Sequence, residues 1–239
     1  LLVVQTELFM TKDHSFLLLV FYFDCDLYLD NFFVNMKVTP MNFDEKTIKV
    51  YEALSERYSK LSGSKRPEFE TSFINKILLN GKVLDLGCGH GAAAANFVAK
   101  GLIVEAWDAS KSMQLLAQRL YNINVTIKTF GDLNSVNEYD GIYANFSLLH
   151  ASKNDFCKYI SSIHKALKLN GIFHLGLKLG DGSQRDKLGR FYTYYREKEL
   201  YQILMTAGFW VKDKFEGQDK GLVGILEPWI VLHSQKLDD

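Results

Sequence analysis

The sequence predicts an α/β fold, a doubly wound and mostly parallel sheet of seven strands with helices on both faces and an antiparallel terminal strand. Apolar strand patterns alternate with helical patterns from residue 82 to residue 207, at the spacing of strand–helix–strand units. A glycine-rich turn follows the first of these strands. No helical pattern separates the last two strand patterns, so we expect them to pair with each other in antiparallel fashion.

The elements follow in order along the chain. Apolar residues recur at helical spacing after Asp44, and Pro67 stands where a first helical turn tolerates it, which together indicate two leading helices. Asn80 and Gly81 end the second helix, and Gly81 is the residue expected in the left-handed conformation. We expect strands at residues 82–86, 103–107, 125–129, 139–144, 172–177, 209–215 and 229–233, and helices at 92–99, 110–120, 155–167 and 197–207.

The composition is that of a globular protein. Of 239 residues, 47% are hydrophobic and 23% charged, and 28 basic residues balance 28 acidic ones. This balance argues against a surface built to bind nucleic acid phosphates. The three cysteines, Cys25, Cys88 and Cys157, form no C-x-x-C pair, so we expect neither disulfides nor a metal site, and a cytoplasmic location.

The first forty residues differ from the rest of the chain. Their apolar run FLLLVFYF, at residues 16–23, is far shorter than the ~20 residues of a membrane-spanning helix, and acidic flanks with no cleavage site argue against a signal peptide. Three interpretations of this stretch are open. It is an added strand or hairpin, a membrane-surface segment, or upstream sequence ahead of a start at Met36 or Met41. We favour the third, with an extension at 1–40 and one domain at 41–239. An intact mass of the native protein that includes residue 1 would contradict it.

The most informative stretch is VLDLGCGHG, at residues 83–91, where a buried strand runs into a glycine-rich turn. Gly87 and Gly89 can adopt backbone angles closed to other residues and leave room for a ligand against the chain. We expect Gly91 to let the following helix pack closely on the strand. In a doubly wound sheet this turn lies at the edge where ligands bind. A tight turn without a ligand is the alternative.

Two acidic residues strengthen the ligand interpretation. Asp85 ends the first strand, and Asp108 ends the second, at the distance where a carboxylate accepts the ribose hydroxyls of a nucleoside cofactor. The pattern Asp-x-Gly-x-Gly-x-Gly differs from the dinucleotide pattern G-x-G-x-x-G, and it resembles motif I of the class I S-adenosylmethionine-dependent methyltransferases. The resemblance extends from about Phe43 to about Gln235 and implies a Rossmann-like fold with S-adenosylmethionine as the cofactor.

The resemblance implies roles for the residues of the methionine side. The backbone at Gly87 and Gly89 would face the methionine part, Asp85 would hold its amino group or a bridging water, and Gly91 completes the motif. A structural role for Asp85, as a helix cap or hydrogen-bonding residue, is the open alternative. Asn145, after the fourth strand, would line the methyl-donor end.

It also implies roles on the adenosine side. Asp108 would bind the ribose hydroxyls, Ala109 and Met113 would flank the adenine, and in Phe-Gly-Asp-Leu Asp132 would accept the adenine amino group and Leu133 would cover the ring. A turn cap is the open alternative for Asp132.

The leading helix carries Tyr51 and Tyr58, which resemble aromatic residues that close over the cofactor in this family. Their helical spacing is equally typical of core residues, so that alternative stays open. His150, after the fourth strand, is the candidate catalytic residue, since a histidine of near-neutral pKa can deprotonate or orient an acceptor. A histidine that only hydrogen-bonds a loop is the alternative.

The polar stretch from Leu177 to Leu200 resembles the segment that covers the acceptor in related methyltransferases. Arg185 and Arg190, with Tyr192, are the candidate substrate-binding residues, because guanidinium groups bind carboxylate or phosphate. A solvated loop with paired charges is the alternative.

We therefore expect methyl transfer from S-adenosylmethionine to a small-molecule acceptor, by a monomer or homodimer with no nucleic-acid or membrane partner. The absence of an Asn/Asp-Pro-Pro-Tyr motif after strand four and of a basic tail favours a small acceptor. A protein or RNA acceptor, an NAD-dependent oxidoreductase and a non-catalytic cofactor-binding protein are the alternatives.

Overall fold

The computed structural model describes residues 43–61 and 67–237, so the predicted extension at 1–40 and Cys25 lie outside the described residues. Six helices occur in this part of the chain: α1 Glu45–Leu61, α2 Pro67–Ile74, α3 Ala92–Ala99, α4 Lys111–Tyr121, α5 Lys153–Ala166 and α6 Glu197–Thr206. The strands of the main sheet are β1 Lys82–Leu86, β2 Ile103–Asp108, β3 Val125–Ile127, β4 Tyr139–Asn145, β5 Leu167–Lys178, β8 Phe209–Lys220 and β9 Leu226–Lys236. A short hairpin, β6 Ser183–Arg185 and β7 Phe191–Thr193, stands apart from them.

The seven strands of the main sheet lie in the order β3-β2-β1-β4-β5-β9-β8. Strands β1 to β5 pair in parallel, and β9 runs antiparallel to both β5 and β8. The predicted doubly wound sheet with an antiparallel terminal pair is confirmed. Because the winding reverses between β1 and β4, the loops that follow these two strands leave a crevice at their carboxyl ends.

Hydrophobic cores cover both faces of the sheet. Leu84 and Phe156 belong to the core beneath α5 and α6, whereas Val83 packs with Phe73 of α2 and Phe97 of α3. Neighbouring residues of β1 thus point into opposite cores, which is why Val83 and Leu84 are both apolar instead of alternating with polar residues. Among the described residues, no helix has both the length and the apolar character needed to cross a membrane.

Several local features differ from the sequence expectations. Helix α2 ends at Ile74, before the predicted stop at Asn80 and Gly81, and Asn80, with φ 61°, takes the left-handed conformation instead of Gly81, since asparagine tolerates this region better than other side chains. Part of the stretch predicted as a polar loop after β5 forms the hairpin β6–β7. Strands β8 and β9 are also longer than predicted, at 12 and 11 residues.

Candidate cofactor and acceptor site

Two adjoining cavities open near the carboxyl ends of β1 and β4. The smaller has a volume of about 110 Å³ and the larger about 310 Å³. They share part of their lining, so together they form one two-part site. The shared residues are Tyr51, Tyr58, Gly87, Gly89, Asn145 and Phe146.

The glycine turn after β1 forms the floor where the two cavities meet. Gly87 has φ 78°, and a Cβ there would lie 2.4 Å from Cβ of Ser147. Gly89 has φ 55°, and within 4 Å its added Cβ would meet one atom, a ring carbon of Tyr58 at 3.6 Å. Gly87 therefore permits the contact with the loop after β4, and Gly89 leaves its backbone open toward the cavity.

Gly91 has a different role from the one predicted. Its φ is 82°, and an added Cβ would lie 2.9 Å from Cβ of Ala117 in α4. It therefore permits close packing of α3 against α4 rather than of a helix on the strand, and it is not among the residues that line the cavities.

Asp108 ends β2 at the wall of the smaller cavity. Its carboxylate accepts the backbone N–H of Gly89 at 2.8 Å and that of Ser110 at 2.9 Å. Burial raises the pKa of Asp108, against the lowering effect of these N–H groups. Two accepted bonds leave lone pairs of the carboxylate available for a ligand hydroxyl.

Asp85 lies at the floor of the larger cavity and is 3% exposed. Its Oδ2 atom has no hydrogen-bond partner among the described residues. Burial, and then the nearby carboxylates of Glu70 and Asp108, raise the pKa of Asp85 to about 8. An unpartnered buried oxygen beside the glycine turn suits a cationic amino group.

The smaller cavity is a mostly apolar slot in which Ala109, Met113 and Phe130 lie. Asp132 and Leu133 are not among its lining residues, in contrast to the expectation. Asp132 is exposed and accepts the backbone N–H and the hydroxyl of Thr129 at 2.7 and 2.8 Å, which makes it a turn cap, and Leu133 is buried in the core. Phe130, which the sequence reasoning passed over in the same Phe-Gly-Asp-Leu stretch, covers the slot instead.

The hairpin β6–β7 and its loop cover the larger cavity. Arg190 is 3% exposed, lies 2.7 Å from the carboxylate of Asp186, and lines this cavity with Tyr192. Arg185 is exposed and lines neither cavity, although its partner Asp44, at 2.6 Å, lines the smaller one. The structure thus brings two of the three predicted substrate residues to the site.

Hydrogen bonds also join this hairpin to α1. The backbone N–H of Phe191 donates to Thr47 Oγ1 at 2.8 Å, and Arg190 Nη1 donates to the hydroxyl of Tyr51 at 3.1 Å. The rings of Tyr51 and Tyr58 pack edge to face, with centroids 5.4 Å apart. Both tyrosines of the leading helix therefore line the site rather than a closed core.

His150 lies below Tyr51 in a short helical turn after β4. Its Nδ1 atom is 2.5 Å from the carbonyl oxygen of Phe191, which can only accept, so Nδ1 carries the proton. Nε2 then accepts the hydroxyl of Tyr51 at 2.9 Å. Burial lowers the pKa of His150 to about 4, which keeps the ring neutral. His150 itself lines the smaller cavity, and its basic nitrogen is hydrogen-bonded to Tyr51, which lines both cavities.

A family model for a methyltransferase domain matches residues 83–171, which begin with the glycine motif in β1 and end in β5. The chain contains a class I S-adenosylmethionine-dependent methyltransferase domain. Its cofactor is S-adenosylmethionine. This assignment decides against an NAD-dependent oxidoreductase.

Solved structures share the fold of this methyltransferase. A Burkholderia thailandensis 1,6-didemethyltoxoflavin-N1-methyltransferase, with bound 1,6-didemethyltoxoflavin and S-adenosylhomocysteine, is 22% identical with a TM-score of 0.63, over 84% of this chain and 93% of that one. A Methanosarcina mazei S-adenosylmethionine-dependent methyltransferase is 17% identical with a TM-score of 0.61, over 69% of this chain and 96% of that one. A complex between the Haloferax volcanii methyltransferase activator Trm112 and a methyltransferase is 14% identical with a TM-score of 0.63, over 81% of this chain and 98% of that one. At these identities the likeness concerns the fold. No match was found among curated proteins.

Proposed function

We propose that this methyltransferase acts on a small-molecule acceptor bound in the larger cavity, beside the methyl-donor end of S-adenosylmethionine. The observation that carries the proposal is the junction of the two cavities at Gly87, Gly89 and Asn145. From this junction the larger cavity extends under a cover of aromatic rings, which suits a compact, partly apolar molecule. These rings belong to Tyr51, Phe69, Tyr143, Phe146, Tyr192 and Trp229.

The residues present fit the cofactor. We assign the ribose hydroxyls to Asp108, the adenine to the slot of Met113 and Phe130, and the amino group to the unpartnered oxygen of Asp85. The backbone at Gly89 then lies along the methionine part. When bound, S-adenosylmethionine supplies a methyl group that is already electrophilic, so holding the acceptor in line provides much of the rate.

The charges at the larger cavity favour an acceptor without net negative charge. Arg190 is paired with Asp186, and Lys178 is paired with Glu227. Four carboxylic residues face three basic ones in the lining, which are Glu70, Asp85, Asp219, Glu227, Lys178, Arg190 and Lys220. An anionic acceptor, which the arginines of the sequence suggest, would have to break these ion pairs.

Tyr51 is the group that an acceptor proton meets. Its hydroxyl donates to the neutral Nε2 of His150, while its oxygen accepts from Arg190. An acceptor that loses a proton can pass it to the Tyr51 oxygen as Tyr51 passes its own proton to His150. His150 then acts through Tyr51, and because its pKa is about 4 it is a positioning residue and a transient proton carrier rather than a direct base.

The small-acceptor assignment is also in line with the Burkholderia enzyme, whose structure contains 1,6-didemethyltoxoflavin. A protein or RNA acceptor remains the alternative. Incubation with methyl-labelled S-adenosylmethionine should therefore compare extracts of small metabolites, of RNA and of protein. Label in the small-molecule fraction supports the proposal, and label confined to RNA or protein contradicts it.

Cofactor binding has its own test. Calorimetric titration with S-adenosylmethionine, S-adenosylhomocysteine and NAD should show micromolar binding of the first two, as is common for cofactors of this size. Asp108→Ala should abolish it, while Asp181→Ala, which removes an exposed carboxylate paired with Arg196, should not. Binding that survives Asp108→Ala would contradict the assignment of the ribose.

A further inference from the structure

A buried hydrogen-bonded chain crosses the sheet and ends at the junction of the two cavities. Asp213 Oδ2 lies 3.2 Å from His233 Nδ1, His233 Nε2 lies 2.9 Å from His174 Nδ1, and His174 Nε2 lies 3.1 Å from the position assigned to Oδ1 of Asn145. Both histidines are 0% exposed. Of these four hydrogen-bonded residues, Asn145 alone lines the cavities, and it lines both. The proposed function uses none of the other three.

The polarity of the chain is set at its outer end. The carboxylate of Asp213 also accepts Lys76 Nζ at 2.7 Å and the hydroxyl of Ser72 at 3.1 Å. An ionised carboxylate can only accept hydrogen bonds, so a lone pair on His233 Nδ1 would face it with repulsion. Nδ1 of His233 therefore carries a proton. Ser72 Oγ, 3.3 Å from the same nitrogen, is compatible because it donates to Asp213 and can accept.

This polarity then passes from ring to ring. A neutral His233 has its lone pair on Nε2, so the facing Nδ1 of His174 must donate. His174 in turn has its lone pair on Nε2 and needs a donor from Asn145. A half-turn of an asparagine amide exchanges its oxygen and its NH₂ group, and the hydrogen-bond network decides between them. The network here places the NH₂ group of Asn145 against His174.

The surroundings keep both rings neutral. Phe73 packs against both imidazoles, with ring centroids 6.1 Å away, and Tyr143 stacks on His174 at 3.8 Å. A second proton would create a buried cation in this aromatic layer, close to the ammonium group of Lys76. Burial lowers the pKa of His174 well below its ordinary value and that of His233 to about 4.

We propose that Asp213, His233 and His174 are positioning residues, which hold the amide of Asn145 with its carbonyl oxygen toward the junction of the cavities. The inference rests on the proposed placement of the cofactor, whose sulfonium centre would lie at that junction. A carbonyl oxygen carries partial negative charge and favours the cationic sulfonium over the neutral thioether of S-adenosylhomocysteine. Gly176 leaves room for this amide, because a Cβ there would lie 2.5 Å from the atom of Asn145 that faces His174.

The polarity can be measured in the full chain without any ligand. Long-range ¹H–¹⁵N spectra of the histidine side chains should show His174 and His233 protonated on Nδ1. Asp213→Asn should mix the tautomers, because an amide can donate or accept, whereas Lys76→Met keeps the carboxylate and should leave them unchanged. A proton on Nε2 of either ring in the unmodified protein would overturn the proposal.

The consequence for the ligand is measured by calorimetry with S-adenosylmethionine and S-adenosylhomocysteine. Asn145→Leu should weaken binding of the first roughly tenfold more than of the second, the size of one charge-assisted hydrogen bond. Asp213→Asn should change the same ratio by about threefold or more, and Lys76→Met should not. Equal weakening of both ligands would overturn the proposal. If the unmodified protein bound neither ligand, the cofactor placement would fail, and the tautomer spectra would still decide the polarity of the chain.

Discussion

The hydroxyl of Tyr51 lies 2.9 Å from Nε2 of His150, although 99 residues separate them in the chain. Helix α1 brings the tyrosine, and the turn after β4 brings the histidine. The carbonyl oxygen of Phe191 fixes the ring from its other nitrogen. His150 therefore offers its basic nitrogen to one group only, and that group faces the cavities.

Tyr51→Phe should reduce kcat about 10- to 100-fold for an acceptor that loses a proton, because it interrupts the path to His150. Binding of S-adenosylhomocysteine should change by less than about threefold, since the ring remains in place. Single-turnover and binding measurements separate the two effects. Tyr201→Phe, on α6 and outside the cavity linings, is the matched control. An unchanged kcat would show that Tyr51 only packs.

Asp85 should make the stability of the ligand-free protein fall as pH rises. Its pKa is raised from an ordinary 3.8 to about 8, so between these values the folded protein holds a proton that the unfolded chain has released. Asp85→Asn stays neutral and should gain free energy of unfolding relative to the unmodified protein, by up to about 1.4 kcal/mol per pH unit in this range. Urea denaturation of both proteins from pH 5 to pH 8 tests this. A difference that does not vary with pH would contradict it.

The raised pKa of Asp85 also predicts that binding of S-adenosylmethionine releases a proton near pH 7. The amino cation of the cofactor favours the ionised form of Asp85, which is protonated before binding. Calorimetry in buffers of different ionisation enthalpy counts the proton. Asp85→Asn should remove the release, and a release that persists in this variant would assign the proton to another group.

Gly87→Ala should be more destabilising than Gly182→Ala, although both glycines have positive φ, 78° and 72°. An added Cβ at Gly182 meets nothing within 4 Å, so Gly182→Ala reports backbone strain alone, about 1 kcal/mol. At Gly87 it collides with Ser147, which adds about 1–3 kcal/mol for an overpacked site. Thermal or urea denaturation measures both. Equal losses would show that the loop after β4 moves away freely.

The two arginines beside the hairpin should behave differently. Arg185→Ala breaks an exposed pair with Asp44 and should leave KM for the acceptor within about twofold of its original value. Arg190→Met leaves the carboxylate of Asp186 and the hydroxyl of Tyr51 without their cation in a buried place, and should cost about 3–5 kcal/mol of stability. A large rise in KM for Arg185→Ala would restore it as a substrate residue.

Much of the sheet was predictable because its parallel strands are short, largely apolar segments that alternate with helical patterns. The predicted bounds of β1 and α3, at 82–86 and 92–99, agree with the structure. The helix predicted at 110–120 begins at Ser110, whose side chain caps α4 by accepting the backbone N–H of Met113. Local chemistry decides these features, so a single sequence suffices.

The features that were missed depend on register between distant segments. Arg185 and Arg190 are equivalent in the sequence, and the pairing of Arg185 with Phe191 across the hairpin decides which one turns inward. His174 and His233 meet because they are partners across β5 and β9, a relationship that no short pattern encodes. Asp132 was ambiguous because a turn cap and an adenine ligand require the same Gly-Asp sequence.

The contacts between α1 and the hairpin have a consequence for biosynthesis. Tyr51 and Arg190 are separated by 139 residues, and Thr47 and Phe191 by 144. Closing loops of this length is slow, because the chain loses conformational entropy before the new contacts contribute favourable free energy. Helix α1 leaves the ribosome long before the hairpin does, and its contacts with the hairpin therefore form late. In a nascent chain the cover of the larger cavity, with Arg190 and Tyr192, would therefore be completed only after the hairpin is released, so the acceptor pocket is the last part of the site to close.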